Sequence, residues 1–146
     1  MASKEASKVL EALRKCKSDR ILQDALMLDF DRGSSFQKLE WAGDRHLKSL
    51  LASQALQVYG RLRDEGELSE LCQRCENNEN LARIFDEAEL MKLVDEVTAT
   101  AASQIGDSEK RKAHVVEAVI GELVKSVPRG QGDLGPSARK AEDALM

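Results

Sequence analysis

Apolar residues recur every three or four positions along most of this chain, which is the spacing of amphipathic helices. In the first half, Val9, Leu10 and Leu13 begin this pattern. Helices are predicted over 6–15, 21–28 and 36–63, with a loop over 29–35 that supplies the N-cap of the long third helix. The first half is therefore predicted to be helical.

The second half continues the pattern after the breaker Asp64-Glu65-Gly66. A helix over 67–75, one or two helices up to about 102, and a strong helix over 109–127 are predicted. Pro128 ends the last one, and the glycine-rich remainder indicates a flexible tail. We predict one helical domain over 1–127 and a tail over 128–146.

Composition narrows the fold to the all-α class. The 146 residues are 42% hydrophobic and 33% charged but only 3% aromatic, as expected for one domain with an aliphatic core on helices. The net charge of −4 speaks against a protein that coats nucleic acid through bulk positive potential, but it leaves a local RNA site open. No run approaches the ~18 apolar residues of a membrane span, so we expect no membrane partner.

Cysteine usage suggests a reducing compartment. Cys16, Cys72 and Cys75 are an odd number, so a disulfide framework is not expected and the setting is predicted to be intracellular. Cys72 and Cys75 form a CxxC pair, but a zinc site would need two more ligands and a redox motif would need a βαβ unit. We interpret both as ordinary helix positions.

Two predicted helices carry interior glycines, Gly43 and Gly121, each of which costs about 1 kcal/mol relative to alanine. Close approach of the two helices would explain both. It would bring together the neighbouring polar residues Glu40, Asp44, His114 and Glu117.

These four residues suggest a metal site. Carboxylates crowded in this way repel one another unless a divalent cation compensates, and such cations activate water for phosphodiester cleavage. The alternative is two solvated helix faces, with Lys48 and Lys110 softening the charge. Spacing alone does not decide between the two.

Several linked motifs resemble the ribonuclease III family. The segment F-Q-K-L-E-W-A-G-D over 36–44 resembles the signature E-R-L-E-F-L-G-D, and A-H-V-V-E-A-V-I-G over 113–121 resembles A-D-x-x-E-A-L-I-G. Between them, 65–69 resembles the E-G-x-L-S turn and 80–82 a shortened N-x-x-L-A helix start, while 22–26 resembles the upstream L-x-x-A-L segment. The motifs occur in the family order over about 21–125, which is more specific than one short pattern.

The resemblance implies an all-helical endonuclease domain that dimerises and cleaves double-stranded RNA with Mg²⁺. Carried over by position, Glu40, Asp44 and Glu117 match the metal ligands, and Glu65 matches an acidic residue that supports cleavage. Trp41 matches a bulky aromatic that contacts the partner subunit, in a homodimer or a heterodimer.

Among the positions that bear on the site, two do not match the family, which has aspartate where His114 stands and glutamate where Gln37 stands. Mg²⁺ prefers hard oxygen ligands, whereas a neutral imidazole suits other first-row cations better. The cofactor is therefore Mg²⁺ or Mn²⁺ if the domain is active, or none, because His114 if protonated could instead pair with Glu40 or Glu117. His46, on another face of its helix, is interpreted as structural.

RNA contacts, if present, would come from basic helix positions, since the family's usual separate RNA-binding domain is not expected in the short tail. The candidates are Arg61, Arg63, Lys110, Arg111 and Lys112, for which exposed helix charge is the simpler alternative.

Three hypotheses follow. The first is a catalytically substituted subunit that pairs with another ribonuclease III-like domain or sits in an RNA–protein complex. The second is an active endoribonuclease with altered metal preference, in which His114 completes the ligand set of Glu40, Asp44 and Glu117. The third is a helical interaction protein with no RNA role. Degenerate domains of this family are known in mitochondrial RNA-editing complexes and ribosomes, so a mitochondrial setting is compatible with the resemblance.

Overall fold

The computed structural model describes residues 4–126, and within that span the chain is all-α, without strands. The helices are α1 (Lys4–Ser18), α2 (Ser35–Tyr59), α3 (Glu65–Glu76), α4 (Asn78–Glu87), α5 (Leu90–Asp95), α6 (Ala101–Ile105) and α7 (Glu109–Ser126). A single 3-10 turn, Asp24–Leu26, lies between α1 and α2. The predicted fold class is confirmed.

Helix α7 is the central helix of the bundle. Its consecutive residues 115–119 are all buried, so this stretch is covered on every side rather than along one stripe. It packs chiefly against α2 and α4. The core is aliphatic apart from two phenylalanines; its largest fully buried side chains are Phe36, Phe85, Leu22, Leu26, Leu81, Leu93, Ile105, Val94 and Val115.

The crossing of α2 and α7 depends on two glycines. A Cβ atom placed on Gly43 would lie 1.7 Å from the carbonyl oxygen of Glu117, and one on Gly121 would lie 1.9 Å from that of Leu39. The two backbones therefore touch, and no side chain fits between them. The sequence-based explanation of these interior glycines is confirmed.

The helix predicted over 21–28 is wrong, because only the 3-10 turn forms there. Arg20 and Leu28, on either side of it, have positive φ values of 62° and 55° and interrupt helical geometry. The buried carboxylate of Glu122 on α7 accepts hydrogen bonds from the backbone N–H groups of Gln23, Asp24 and Ala25, at 2.9, 3.1 and 3.0 Å. A distant side chain thus satisfies the donors that a helix would otherwise leave free.

Other boundaries differ by a few residues. Helix α2 ends at Tyr59, and 60–63 form a turn, so the predicted long helix is four residues too long. Asp64 caps α3 by accepting from the N–H of Glu67 at 2.9 Å, which places Gly66 inside the helix rather than in a break. The predicted tail over 128–146 lies outside the described residues. Between 4 and 126, no helix is long and apolar enough to cross a membrane.

Candidate metal centre

The four polar residues singled out in the sequence meet where α2 crosses α7. Glu40 and Asp44 project from one face of α2, and His114 and Glu117 from the facing side of α7. Nε2 of His114 lies 3.3 Å from Oε1 of Glu40. One ligand atom each of Glu40, His114 and Glu117 falls within 4.8 Å of the other two. Two carboxylates and an imidazole are thus close enough to share one cation.

Asp44 is not part of this group of three. Its carboxylate hydrogen-bonds with the Glu117 carboxyl on one side. On the other side, Oδ2 of Asp44 forms an ion pair with Nζ of Lys48, which lies one helical turn later. The two atoms are 3.1 Å apart. The fourth predicted ligand is therefore adjacent to the site but held by its own salt bridge.

The Glu117 carboxyl has a raised pKa in this cluster, which favours its protonated form at neutral pH. Burial, the hydrogen bond with Asp44 and the negative charges of Asp44 and Glu40 raise its pKa to about 8. Burial alone would raise the pKa of Asp44 too, but the hydrogen bond from Glu117 and the Lys48 ammonium lower it below its usual value. The contact between the two carboxyls therefore favours the protonated form of Glu117 and the ionised form of Asp44.

His114 is disfavoured as a cation. Burial, together with the positive charges of Lys110 and Arg111, lowers its pKa. Burial and Asp44 raise the pKa of the facing Glu40, whereas Lys110 lowers it. A neutral imidazole beside Glu40 fits this environment better than the charged pair considered from the sequence. The neutral imidazole is also the form that binds metals.

The donor set fits a first-row transition cation better than Mg²⁺. Imidazole with two carboxylates suits Mn²⁺, Zn²⁺ and related ions, whereas Mg²⁺ requires near-ideal octahedral oxygen coordination. Glu40, His114 and Glu117 would hold the cation, and Glu117 would have to release its proton on binding.

The site opens into a cleft, and the sequence predicted only some of the residues that line it. Its lining residues are Gln37, Glu40, Trp41, Asp44, Glu76, Asn78 and Glu117. Glu76 and Asn78 come from the junction of α3 and α4 and were missed, because no spacing relates that junction to α2.

Gln37 has a structural role that its amide explains. Its Nε2 donates to the carbonyl oxygen of Phe30 at 3.2 Å, and its Oε1 accepts from the N–H of Gly33 at 3.2 Å. Its backbone N–H donates to the N-cap hydroxyl of Ser34. A glutamate, which the family has here, could not donate to Phe30 when ionised.

Glu65 and Trp41 lie outside the group of three. Glu65 is exposed in the first turn of α3 and does not line the cleft, so its catalytic role stays a prediction. Trp41 lines the cleft but is 65% exposed, and the guanidinium of Arg45 lies 5.8 Å from its ring centroid. Burial in the core of this chain is therefore excluded for Trp41.

The candidate RNA-binding residues fall in different surroundings. Arg61 is exposed, and Arg63 pairs with Glu67 at 3.0 Å. The Arg111 guanidinium lies 4.6 Å from the Phe30 ring centroid, and Lys112 pairs with Asp86 at 2.9 Å.

Lys110 influences the site electrostatically, because its positive charge lowers the pKa of both Glu40 and His114. RNA contact by any of these five residues stays a prediction.

Comparison with known protein families agrees with this geometry. The family model for the ribonuclease III domain matches residues 37–126, which is more than half of the chain and includes Glu40, Asp44, His114 and Glu117. The chain belongs to the ribonuclease III domain family. No curated protein and no solved structure matches it. Ribonuclease III domains act on double-stranded RNA, generally with divalent metals and as dimers.

Proposed function

We propose that this ribonuclease III domain acts in the processing of double-stranded RNA as a catalytically substituted subunit, paired with another ribonuclease III-like domain. The observation that carries the proposal is His114, which stands at the position where the resembled family motif has aspartate and whose Nε2 lies 3.3 Å from Oε1 of Glu40. An imidazole at that point weakens a magnesium site and removes one negative charge from it.

The rest of the cluster supports reduced activity. In this family a bound cation activates the attacking water, and ionised carboxylates are needed to hold that cation. Here the surroundings of Glu117 raise its pKa to about 8, and Asp44 forms an ion pair with Lys48. A cation would therefore have to displace the Glu117 proton and compete with Lys48 for Asp44.

Pairing with a second domain is supported by Trp41. Trp41 is 65% exposed, so its large apolar side chain faces water next to the cleft. Large aromatic side chains of this kind are common anchors in protein interfaces.

The test is a binding and cleavage assay on double-stranded RNA. The purified chain should bind the duplex more tightly than single-stranded RNA of the same sequence, and should leave it uncut in Mg²⁺. His114→Asp should raise cleavage in Mg²⁺ if the remainder of the site is intact. Failure to bind duplex RNA, alone or with a co-purified ribonuclease III-like domain, would refute the RNA role.

A second candidate is an active endoribonuclease with altered metal preference. It is favoured by one observation, the 4.8 Å grouping of Glu40, His114 and Glu117. Cleavage in Mn²⁺ but not in Mg²⁺, abolished by Glu117→Ala, would establish this activity and overturn the catalytically substituted reading.

A further inference from the structure

Helix α1 and the two residues after it carry a net positive charge in a chain that is negative overall. Residues 4–20 contain six lysines or arginines and three acidic residues, a net charge of +3. The other residues of the chain contain 16 basic and 23 acidic residues, a net charge of −7. A basic segment in an otherwise acidic chain is typical of a surface that contacts a polyanion.

Contacts with the bundle fix the orientation of α1. Leu10 and Leu13 on one face of the helix are buried in the core. Arg14 and Lys17 both pair with Glu96 at the C-terminal end of α5, each at 3.3 Å. The packed face and this double ion pair together determine which side of α1 faces solvent.

Three lysines form a stripe on the side of α1 that faces away from the core. Lys4, Lys8 and Lys15 are spaced by four and seven residues, which places them on one face, opposite the buried leucines. All three are exposed, and none of their ammonium groups has an ion-pair partner among residues 4–126. This lysine stripe extends over roughly 16 Å of helix.

The cleft beside the metal centre does not offer an alternative site for an RNA backbone. Among the seven described residues that line it, four carry carboxyl groups and none is a lysine or arginine. Phosphate groups are negative, so such a cleft repels them unless a cation is bound. Helix α1 contributes no residue to this lining, so the lysine stripe attracts a polyanion with or without a metal ion.

The lysine stripe fits a row of phosphates better than a membrane surface. A helix that binds in the plane of a membrane inserts an apolar face into it. The apolar face of α1 is covered by the core, and over its described length Val9 is the only exposed large apolar side chain. Lysine ammonium groups contact phosphate oxygens as point charges and do not read the base sequence.

We propose that the lysine stripe of α1, formed by Lys4, Lys8 and Lys15, is a phosphate-binding edge that holds the sugar–phosphate backbone of double-stranded RNA. The inference rests on the proposed function, because it names a surface that binds the RNA of that function. The stripe lies outside residues 37–126, the span matched by the family model. It gives a catalytically substituted subunit affinity for RNA that does not depend on a cation in the cleft.

The experiment is a titration of a fluorescently labelled RNA duplex with the chain, followed by anisotropy, in buffer with EDTA so that the cleft holds no metal. A triple variant with Lys4→Gln, Lys8→Gln and Lys15→Gln should bind about tenfold or more weakly at low salt. The slope of log Kd against log salt concentration should fall by about 2–3, one for each lost phosphate contact. Lysine and glutamine have similar helix propensities, so circular dichroism should show unchanged helix content.

Two controls separate the stripe from overall charge. A second triple variant, Lys38→Gln, Lys92→Gln and Lys125→Gln, removes the same charge from exposed positions on α2, α5 and α7, and should weaken binding by less than about threefold. Glu11→Lys adds a lysine to the face of the stripe and should tighten binding by about threefold. Glu79→Lys, at an exposed position on α4, should change binding by less than about twofold.

Equal losses in the two triple variants, or an unchanged salt slope, would overturn the inference and leave the proposed function standing. If the stripe variant lost binding to phosphatidylserine vesicles but kept duplex binding, the stripe would be a membrane surface and the inference would be overturned. Stripe-dependent binding that is equally tight for single-stranded RNA would support the phosphate-binding edge and contradict the proposed function's preference for duplex RNA. A wild-type chain that binds no duplex, alone or with a co-purified ribonuclease III-like domain, would overturn both.

Discussion

Glu117 is a carboxyl group whose environment separates it from ordinary surface glutamates. It is 8% exposed, and burial together with the neighbouring Asp44 and Glu40 raises its pKa to about 8. Between the usual glutamate value of 4.5 and this raised value, the folded chain holds a proton that the unfolded chain has released. The folded state is therefore stabilised at low pH by this group, and the stabilisation is lost as the pH rises toward 8.

We predict that Glu117→Gln removes this dependence. In metal-free buffer, the stability of the wild type relative to Glu117→Gln should fall by about 1–3 kcal/mol between pH 5 and pH 8, because one pKa unit corresponds to about 1.4 kcal/mol and solvent in the cleft screens part of the effect. The lowered pKa of His114 acts in the opposite direction in both chains and cancels from this difference. Urea unfolding at several pH values measures the slope. Glu11→Gln, an exposed position on α1, should keep the wild-type slope. A steep fall that persists in Glu117→Gln would show that another group carries it.

Glu122 has an anchoring role that the same kind of measurement can test. It is 7% exposed and accepts three backbone hydrogen bonds from 23–25. Glu122→Gln replaces one acceptor oxygen by a donor amide, so at least one buried N–H loses its partner, at a cost of about 1–3 kcal/mol.

Thermal or urea unfolding should show this loss. Glu87→Gln, which removes only an exposed ion pair with Arg83, should cost less than about 0.5 kcal/mol. Comparable losses in the two variants would contradict the anchoring role.

At the scale of whole elements, the α2–α7 crossing fixes the site. Glu40 and His114 meet because the helices approach to backbone contact at Gly43 and Gly121. Any side chain at these two positions would push the helices apart and with them the ligand atoms.

Gly43→Ala and Gly121→Ala should each destabilise the chain by about 3 kcal/mol or more, since the added Cβ meets rigid backbone. Gly66→Ala is the matched control: a Cβ there meets only the Asp64 side chain, at 3.4 Å, and the helix gains propensity. Its stability should stay equal or rise by up to about 1 kcal/mol. Unfolding midpoints in urea measure all three. An unchanged midpoint for Gly43→Ala would contradict the close crossing.

At the scale of the whole molecule, the proposed pairing with a second ribonuclease III-like domain can be tested first as self-association of this chain. Trp41→Ala should weaken self-association by about tenfold or more, since buried aromatic anchors contribute strongly to interfaces. The monomer should lose less than about 1 kcal/mol, because the side chain is already 65% exposed.

Light scattering after size-exclusion chromatography measures both the wild type and the variant. Met27→Ala, at a position that is 58% exposed and outside the residue range of α2, should leave association unchanged. A wild-type chain that remains monomeric at high micromolar concentration would contradict self-association and leave pairing to a different ribonuclease III-like domain.

The sequence by itself determined the all-α class, most helix boundaries to within a few residues, and the meeting of Glu40, His114 and Glu117. It could do so because helical periodicity is a local property and because two interior glycines have few explanations other than helix contact. Family motifs then linked those residues to one known chemistry.

Only the tertiary structure decided how these groups behave together. The failure of the helix over 21–28 depends on Glu122, nearly a hundred residues away, and no local pattern contains that contact. The proton on Glu117, the lowered pKa of His114 and the pairing of Asp44 with Lys48 rather than with the group of three all depend on burial and on distances across the helix crossing. Burial and charge–charge distances arise only when distant segments pack, which is why the sequence located the site and the fold set its chemistry.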